Sequence, residues 1–97
     1  MQPTGMAVLA SMGLLDAVAA RASRIERMDG RTLSGRRIMD IRYADAGTGC
    51  HGLGVHRGNL FQVLHDAAFH AGVEFRLGTE VTGVTPKGYV TVAGGDW

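Results

Sequence analysis

The 97-residue sequence predicts a mixed α/β fold. Two segments carry apolar residues at helical spacing, and the segments between and after them alternate apolar and polar residues as strands do. A helix, a glycine and a strand also follow one another directly around Gly72, which is typical of α/β proteins. Glycine accounts for 15 of the 97 residues, about twice its average share, and predicts many tight turns.

The composition limits the classes of function. With 45% hydrophobic and 20% charged residues, the chain is expected to be globular. A net charge of +1 excludes a strongly basic nucleic-acid domain, and no apolar run reaches the roughly 20 residues of a membrane-spanning helix. The single cysteine, Cys50, excludes a disulfide framework and fits a reducing, cytoplasmic compartment. We therefore expect neither nucleic acid nor a membrane as a partner.

The basic residues are concentrated between Arg21 and Arg42, where seven arginines stand against three acids. Aromatic residues that could stack on bases are absent from this stretch, and Tyr43 stands alone at its end. We interpret the arginines as the solvated faces of two strands.

Met6–Ala20 is predicted to be the first helix, with Thr4 as its N-cap. Apolar residues lie on two of its faces, which indicates burial on two sides. In so small a domain, this pattern favours a helix packed between layers of a larger structure. Gly13 is expected to kink or end the first part of the helix.

A β-hairpin is predicted next, with strands Ile25–Thr32 and Arg36–Tyr43 joined by a turn at residues 33–35. Apolar and charged residues alternate along the second strand, which predicts a half-exposed sheet.

The second half of the chain is predicted to contain a helix among short strands. Asn59–Ala71 is the clearest helix, because its apolar residues form one stripe, and Gly72 is expected to end it. The predicted strands are Leu53–His56, Val73–Leu77, Glu80–Thr85 and Tyr89–Ala93, with a turn at residues 86–88 between the last two.

Residues 47–52 read GTGCHG and match the dinucleotide-binding pattern G-x-G-x-x-G. That motif requires a helix after the glycines, because the helix N-terminus binds the pyrophosphate. Here the glycines lead into the predicted strand Leu53–His56. The acidic residue expected roughly 20 positions further on has only Glu74 as a candidate, after the wrong helix. We interpret the match as a flexible loop that does not bind a dinucleotide.

The four histidines are not predicted to bind a metal. His65 and His70 are five positions apart, which places them on different helix faces, and no cysteine or carboxylate cluster supports them. No residue can be assigned as a catalytic acid or base, although Tyr43 and His56 are the side chains closest to such a role.

Arg57 is the strongest candidate for a binding residue, since it directly precedes the predicted helix Asn59–Ala71. A helix N-terminus carries about half a positive charge, so a cation there is unfavourable by roughly 0.3–1 kcal/mol. An anion bound between the guanidinium and the helix would reverse that sign. Two interpretations follow from these residues: a phosphate or pyrophosphate site, or a solvent-facing arginine screened by salt.

Three segments, in the same order and at the same spacing, resemble a known family. Residues 2–9 and 12–16, reading QPTGMAVL and MGLLD, resemble the helix after the second strand of FAD-dependent aromatic monooxygenases of the para-hydroxybenzoate hydroxylase type. Residues 54–60, reading GVHRGNL, resemble that family's R-x-x-L helix. Residues 73–84, reading VEFRLGTEVTGV, are similar to the strand and turn that follow.

The resemblance implies a partial Rossmann-like FAD-binding domain, with the hairpin of residues 25–43 belonging to the substrate-side sheet. It implies that Arg57 contacts FAD and that Gln2 lies near the flavin. It further implies an enzyme in which NAD(P)H reduces FAD and O2 supplies the oxygen atom that hydroxylates a small aromatic substrate.

The family's G-x-G-x-x-G strand does not precede Met1, and the family's later G-D segment is expected beyond Trp97. We therefore expect residues 1–97 to be an internal fragment of one FAD-binding domain, cut at Trp97 and inactive without the remainder of its enzyme chain. Two alternatives stay open: a non-catalytic interaction domain or remnant, and a small anion-binding module that uses Arg57.

Overall fold

The computed structural model describes residues 1–96, so Trp97, where we expected the fragment to be cut, lies outside the described residues. The described chain is mixed α/β, as predicted, and its sheets are all antiparallel. The helices are α1 (Pro3–Ser11), α2 (Leu15–Ala19) and α3 (Arg57–His70), with a short 3₁₀ helix at Tyr43–Ala46. The strands are β1 (Ala22–Ile25), β2 (Arg27–Arg31), β3 (Arg37–Arg42), β4 (Gly52–Val55), β5 (Val81–Val84), β6 (Val90–Val92) and β7 (Gly95–Asp96).

The first helical region is divided in two by Gly13, as the sequence predicted. Gly13 has a φ of +72°, which glycine adopts without steric cost. The N–H of Leu14 donates to the carbonyl of Leu9 at 2.9 Å, which closes α1 in a Schellman motif. The prediction of Thr4 as N-cap is wrong, because α1 begins at Pro3, a residue whose fixed φ and missing N–H suit the first helical position.

β1 and β4 form a two-stranded sheet in which Ala22 lies opposite Val55 and Ile25 opposite Gly52. The prediction that Ile25 begins the hairpin is therefore wrong, since Ile25 ends a separate strand. On the other side of β4, the N-terminal ammonium of Met1 donates to the carbonyl of Leu53 at 2.6 Å. The N–H of Leu53 donates back to Met1 at 3.0 Å, so β4 lies between β1 and the first residue.

The hairpin of β2 and β3 is confirmed, with a tight turn at the predicted residues. The N–H of Thr32 donates to Arg36 and the N–H of Gly35 donates to Thr32, both at 2.9 Å. In the register of the hairpin, Met28 lies opposite Ile41. Every residue of β3 is exposed, so both faces of this hairpin meet solvent.

The third sheet contains β5, β6 and β7, and its first turn lies at the predicted residues 86–88. The predicted strand Val73–Leu77 is wrong, because residues 73–76 have no regular secondary structure. The residues alternate as strand residues do, but a strand also needs a partner for its backbone, and no strand in residues 1–96 pairs with this segment. The segment instead rests on α3, where the ring centroid of Phe75 lies 4.4 Å from that of His65.

The apolar residues do not form one continuous core. The radius of gyration is 19.4 Å, whereas about 13 Å is expected for a compact chain of this length. The large apolar side chains that are buried in the described chain are Leu9, Val18, Tyr43 and Leu53. The two-sided burial predicted for the first helix is therefore absent within these residues, since Val8 and Met12 are 55% and 51% exposed. None of the helices in residues 1–96 has the length and apolar character needed to cross a membrane.

Candidate functional site

Arg57 is the first residue of α3, two positions earlier than the predicted start of the helix. The preceding residue, His56, has extended backbone and caps the helix, because its Nδ1 accepts from the N–H of Gly58 at 3.2 Å. The carbonyl of His56 also accepts from Asn59 at 3.0 Å and from Leu60 at 3.2 Å. One histidine thus fixes the first turn that carries Arg57.

The guanidinium of Arg57 is exposed and makes no hydrogen bond or ion pair with any residue in the described part of the chain. Arg27 and Arg37 on the hairpin, in contrast, are each bound to carboxylates. An unpaired cation at the positive end of a helix creates a site where an anion is attracted by two charges, that of the cation and that of the helix dipole. Because three amides of the first turn already donate to His56, the guanidinium is the main donor left for an anion.

Gln2 is exposed and occupies the N-cap position of α1, but it makes no capping hydrogen bond. Its side-chain nitrogen lies 3.8 Å from the sulfur of Met28, which is a weak acceptor. Gln2 and Arg57 make no hydrogen bond to each other. Both residues nevertheless flank β4, since Met1 pairs with Leu53 in that strand and Arg57 follows its end.

The glycines of residues 47–52 form a turn that leads into β4 and not into a helix, as the sequence predicted. Gly49 has a φ of +82°, and a Cβ placed there would have no atom within 4 Å. Gly52 is required for a different reason: a Cβ placed there would lie 2.9 Å from the ring of Tyr43. This glycine is therefore explained by the packing of an aromatic ring, without a bound nucleotide.

Tyr43 and His56, the two side chains considered for acid or base chemistry, both have structural partners. Tyr43 is 4% exposed, and its hydroxyl donates to the sulfur of Met28 at 3.1 Å. His56 caps α3. Within residues 1–96, no three histidine, cysteine or acidic side chains come together in a way that could hold a metal ion.

A network of charged side chains that the sequence did not predict covers one face of the hairpin. Asp40 accepts two hydrogen bonds from Arg27, at 2.8 and 3.0 Å, and one from Arg37 at 3.2 Å. Asp29 accepts from Arg37 at 3.2 and 3.3 Å and from Arg31 at 3.3 Å. The charged residues of β2 lie at every second position, and this spacing indicates one charged face. Their partners on β3 depend on the register of the hairpin, which the sequence does not give.

These contacts shift the pKa values of the acids. The hydrogen bonds from Arg27 lower the pKa of Asp40, and the same contact raises the pKa of Arg27. Partial burial acts to raise the pKa of Asp29, but the hydrogen bonds from Arg31 and Arg37 outweigh it, so the pKa of Asp29 is also lowered. All five side chains remain partly exposed, and the network stabilises the hairpin without forming a cavity.

Comparison with known proteins identified no relatives. No protein-family model matches the chain, and no curated protein or solved structure matches it either.

Proposed function

We propose that residues 1–97 are part of an FAD-dependent monooxygenase that uses NAD(P)H and O2 to hydroxylate a small aromatic substrate. The proposal rests on one observation above all: Arg57 stands unpaired and exposed in the first turn of α3. The resemblance of residues 54–60 to the R-x-x-L helix of the aromatic monooxygenases implies a cofactor contact at that same residue. Physical chemistry and family resemblance therefore support the same site independently.

In this proposal Arg57 binds a phosphate oxygen of FAD. Its planar guanidinium can donate two parallel hydrogen bonds to a phosphate, which an ammonium group cannot do. The bound phosphate also lies between two positive groups, the guanidinium and the helix end. It screens their mutual repulsion, and this contributes further to the binding free energy. His56 contributes by keeping the first turn of α3 in place. Gln2 is the second cofactor-binding residue that we propose, because its exposed amide is held only by the weak contact to Met28.

The apolar side of the hairpin would border the aromatic substrate. Met28 and Ile41 lie opposite each other on this side, and Met39 follows on the same face. Ile41 and Met39 are 41% and 37% exposed, so this face is open to a ring or to another layer of the enzyme. FAD supplies the oxygen chemistry when bound, and the apolar face excludes water from it. The remainder of the enzyme chain completes the cofactor site, and the reducing cytoplasm is the compartment that we propose.

The experiment that tests this function uses the complete protein that carries these residues. We expect the purified protein to show the absorption of bound flavin, and NAD(P)H and O2 to be consumed together when small aromatic acids or phenols are added. Formation of the hydroxylated ring, detected by mass spectrometry with ¹⁸O2, identifies the reaction. Flavin-free protein that stays without activity after FAD is added would overturn the proposal.

A non-catalytic interaction domain or remnant is the second candidate, and the exposed apolar side chains favour it. Phe61, Phe69 and Leu77 are 63%, 65% and 82% exposed, which is more apolar surface than an isolated small domain normally presents. This candidate predicts that the complete protein binds no flavin at all. A third, an anion-binding module that uses Arg57 alone, predicts instead that the 97-residue chain binds inorganic phosphate. Titration with FAD and with phosphate distinguishes the three.

A further inference from the structure

An open groove of about 440 Å³ lies between α2 and the second half of α3. Its apolar lining consists of Leu14, Ala17, Ala20, Val63 and Ala67. Its volume falls within the range of about 300–1,000 Å³ that is usual for sites of small ligands.

The rim of the groove carries charged and polar groups, of which one is free. Asp66 accepts from the side-chain nitrogen of Gln62 at 2.7 Å, and Nδ1 of His70 lies 2.6 Å from the carbonyl of Asp66. Arg21 follows the end of α2 and makes no side-chain hydrogen bond or ion pair with any residue between 1 and 96. The negative end of the α2 dipole favours a cation at this position. The groove thus combines an apolar lining with one unpaired guanidinium.

We propose that this groove binds a small amphipathic carboxylate, with its apolar body against the apolar lining and its carboxylate on Arg21. An apolar lining with one charged donor suits a ligand that has one charged end. The fork of an arginine matches the two oxygens of a carboxylate.

This site is separate from the proposed FAD contact. Arg57 begins α3, whereas Val63, Ala67 and His70 line the groove along the later turns of the same helix. Val63, the lining residue of α3 nearest to Arg57, is six positions away, about 9 Å along the helix at 1.5 Å per residue, and His70 is thirteen positions away, about 20 Å. The two proposals can therefore succeed or fail independently.

Octanoate is the probe for the test, and the protein is the complete one that carries residues 1–97. We expect octanoate to shift the amide NMR signals of α2 and of residues 63–70 in a saturable titration. Arg21→Gln should weaken binding by about tenfold or more, since it removes a charge-assisted hydrogen bond. Ala67→Leu should also weaken it, because the larger side chain fills the groove. Arg24→Gln is the matched control, since Arg24 is an exposed arginine that pairs with Glu26 and does not line the groove.

The chemistry of the ligand is tested with two analogues of the same chain length. Octanol should bind at least tenfold more weakly than octanoate, and octylammonium should bind no better than octanol. Equal affinity of the Arg21→Gln protein and the unchanged protein for octanoate would overturn the proposal. So would octylammonium binding as tightly as octanoate, or the absence of any saturable shift in α2 and α3.

Discussion

Asp29 and Asp40 lie directly opposite each other in the register of the β2–β3 hairpin, yet the pKa of each carboxyl is lowered. Two like charges at such a position destabilise a sheet unless other charges compensate. Here Arg27, Arg31 and Arg37 surround the pair and make the ionised state of both acids favourable. The hairpin therefore depends on both acids being charged.

Acidification should loosen this hairpin. Because the pKa of Asp29 and of Asp40 is lowered from 3.8 on folding, the unfolded chain binds these protons more readily. The stabilisation is fully present above pH 3.8, the unfolded value, and is lost as the pH falls through the lower folded values. Amide hydrogen exchange of β2 and β3 is followed from neutral pH to pH 2, and the protection of these amides relative to the intrinsic exchange rate at each pH should fall in that window.

The control for this prediction is Asp40→Asn, which removes one titrating carboxyl while keeping the shape of the side chain. The amides of its hairpin should be less protected from exchange at neutral pH, and their protection should fall less on acidification. Asp45→Asn, a change outside the network, should leave the pH profile as it is. An Asp40→Asn hairpin with the acid sensitivity of the unchanged protein would contradict the assignment.

Gly52→Ala should destabilise the protein, because the new Cβ would lie 2.9 Å from the ring of Tyr43, and both residues are buried. Forcing an extra carbon into a packed site costs about 1–3 kcal/mol, which a thermal or urea melt measures. The companion Tyr43→Leu removes the ring, so Gly52→Ala should cost less in that background. An equal cost in both backgrounds would show that the ring is not the cause.

The glycines of residues 47–52 should not bind a dinucleotide. If the complete protein binds flavin as proposed, Gly49→Ala and Gly52→Ala should leave its flavin content per folded molecule unchanged, since β4 and not a helix N-terminus follows these glycines. Gly49→Ala is the cleaner of the two, because the space around its Cβ is open and its cost arises from the φ of +82° alone. Loss of flavin with the fold intact would show that the loop contributes to the cofactor site.

The isolated 97-residue chain should be marginally stable or should self-associate. Four large apolar side chains are buried in the described residues, whereas Val8, Met12, Phe61 and Phe69 are more than half exposed. Burying each such side chain is worth roughly 1.5–3 kcal/mol, so a second copy that covers them gains stability. Sedimentation at several concentrations and a thermal melt measure both properties. A monomer with a sharp two-state melt would contradict this expectation.

The sequence predicts the ends of the helices well, because these ends depend on the backbone conformation of single residues. Gly13 and Gly72 end their helices because each Schellman motif requires a residue with positive φ. A glycine after a helical pattern indicates such a position. The strand predicted at Val73–Leu77 failed because its partner cannot be identified from its own residues. The pairing of Ala22 with Val55 and of Met1 with Leu53 is equally non-local.

The same distinction between local and non-local signals applies to the candidate sites. Arg57 was identified from its neighbours in the chain, since a cation before a helix is a local signal. The groove beside Arg21 was missed, because the residues that line it fall into two groups more than forty residues apart in the chain, which meet only when α2 packs on α3. The compensation of Asp29 and Asp40 by three arginines was missed for the same reason, since it depends on the register of two strands.

Arg57→Ala should weaken FAD binding to the complete protein by about ten- to a hundredfold. A charge-assisted hydrogen bond contributes roughly 1.5–3 kcal/mol, and each 1.4 kcal/mol is about a factor of ten in affinity. Arg57→Lys should recover only part of the loss, because an ammonium keeps the charge without the planar fork. Arg36→Ala is the matched control, an exposed arginine at the turn of the hairpin whose side chain has no partner in the described chain. Flavin fluorescence titration of the four proteins measures the effect. If the Arg57→Ala protein binds FAD as tightly as the unchanged one, Arg57 is an ordinary solvated side chain, and the cofactor assignment fails with it.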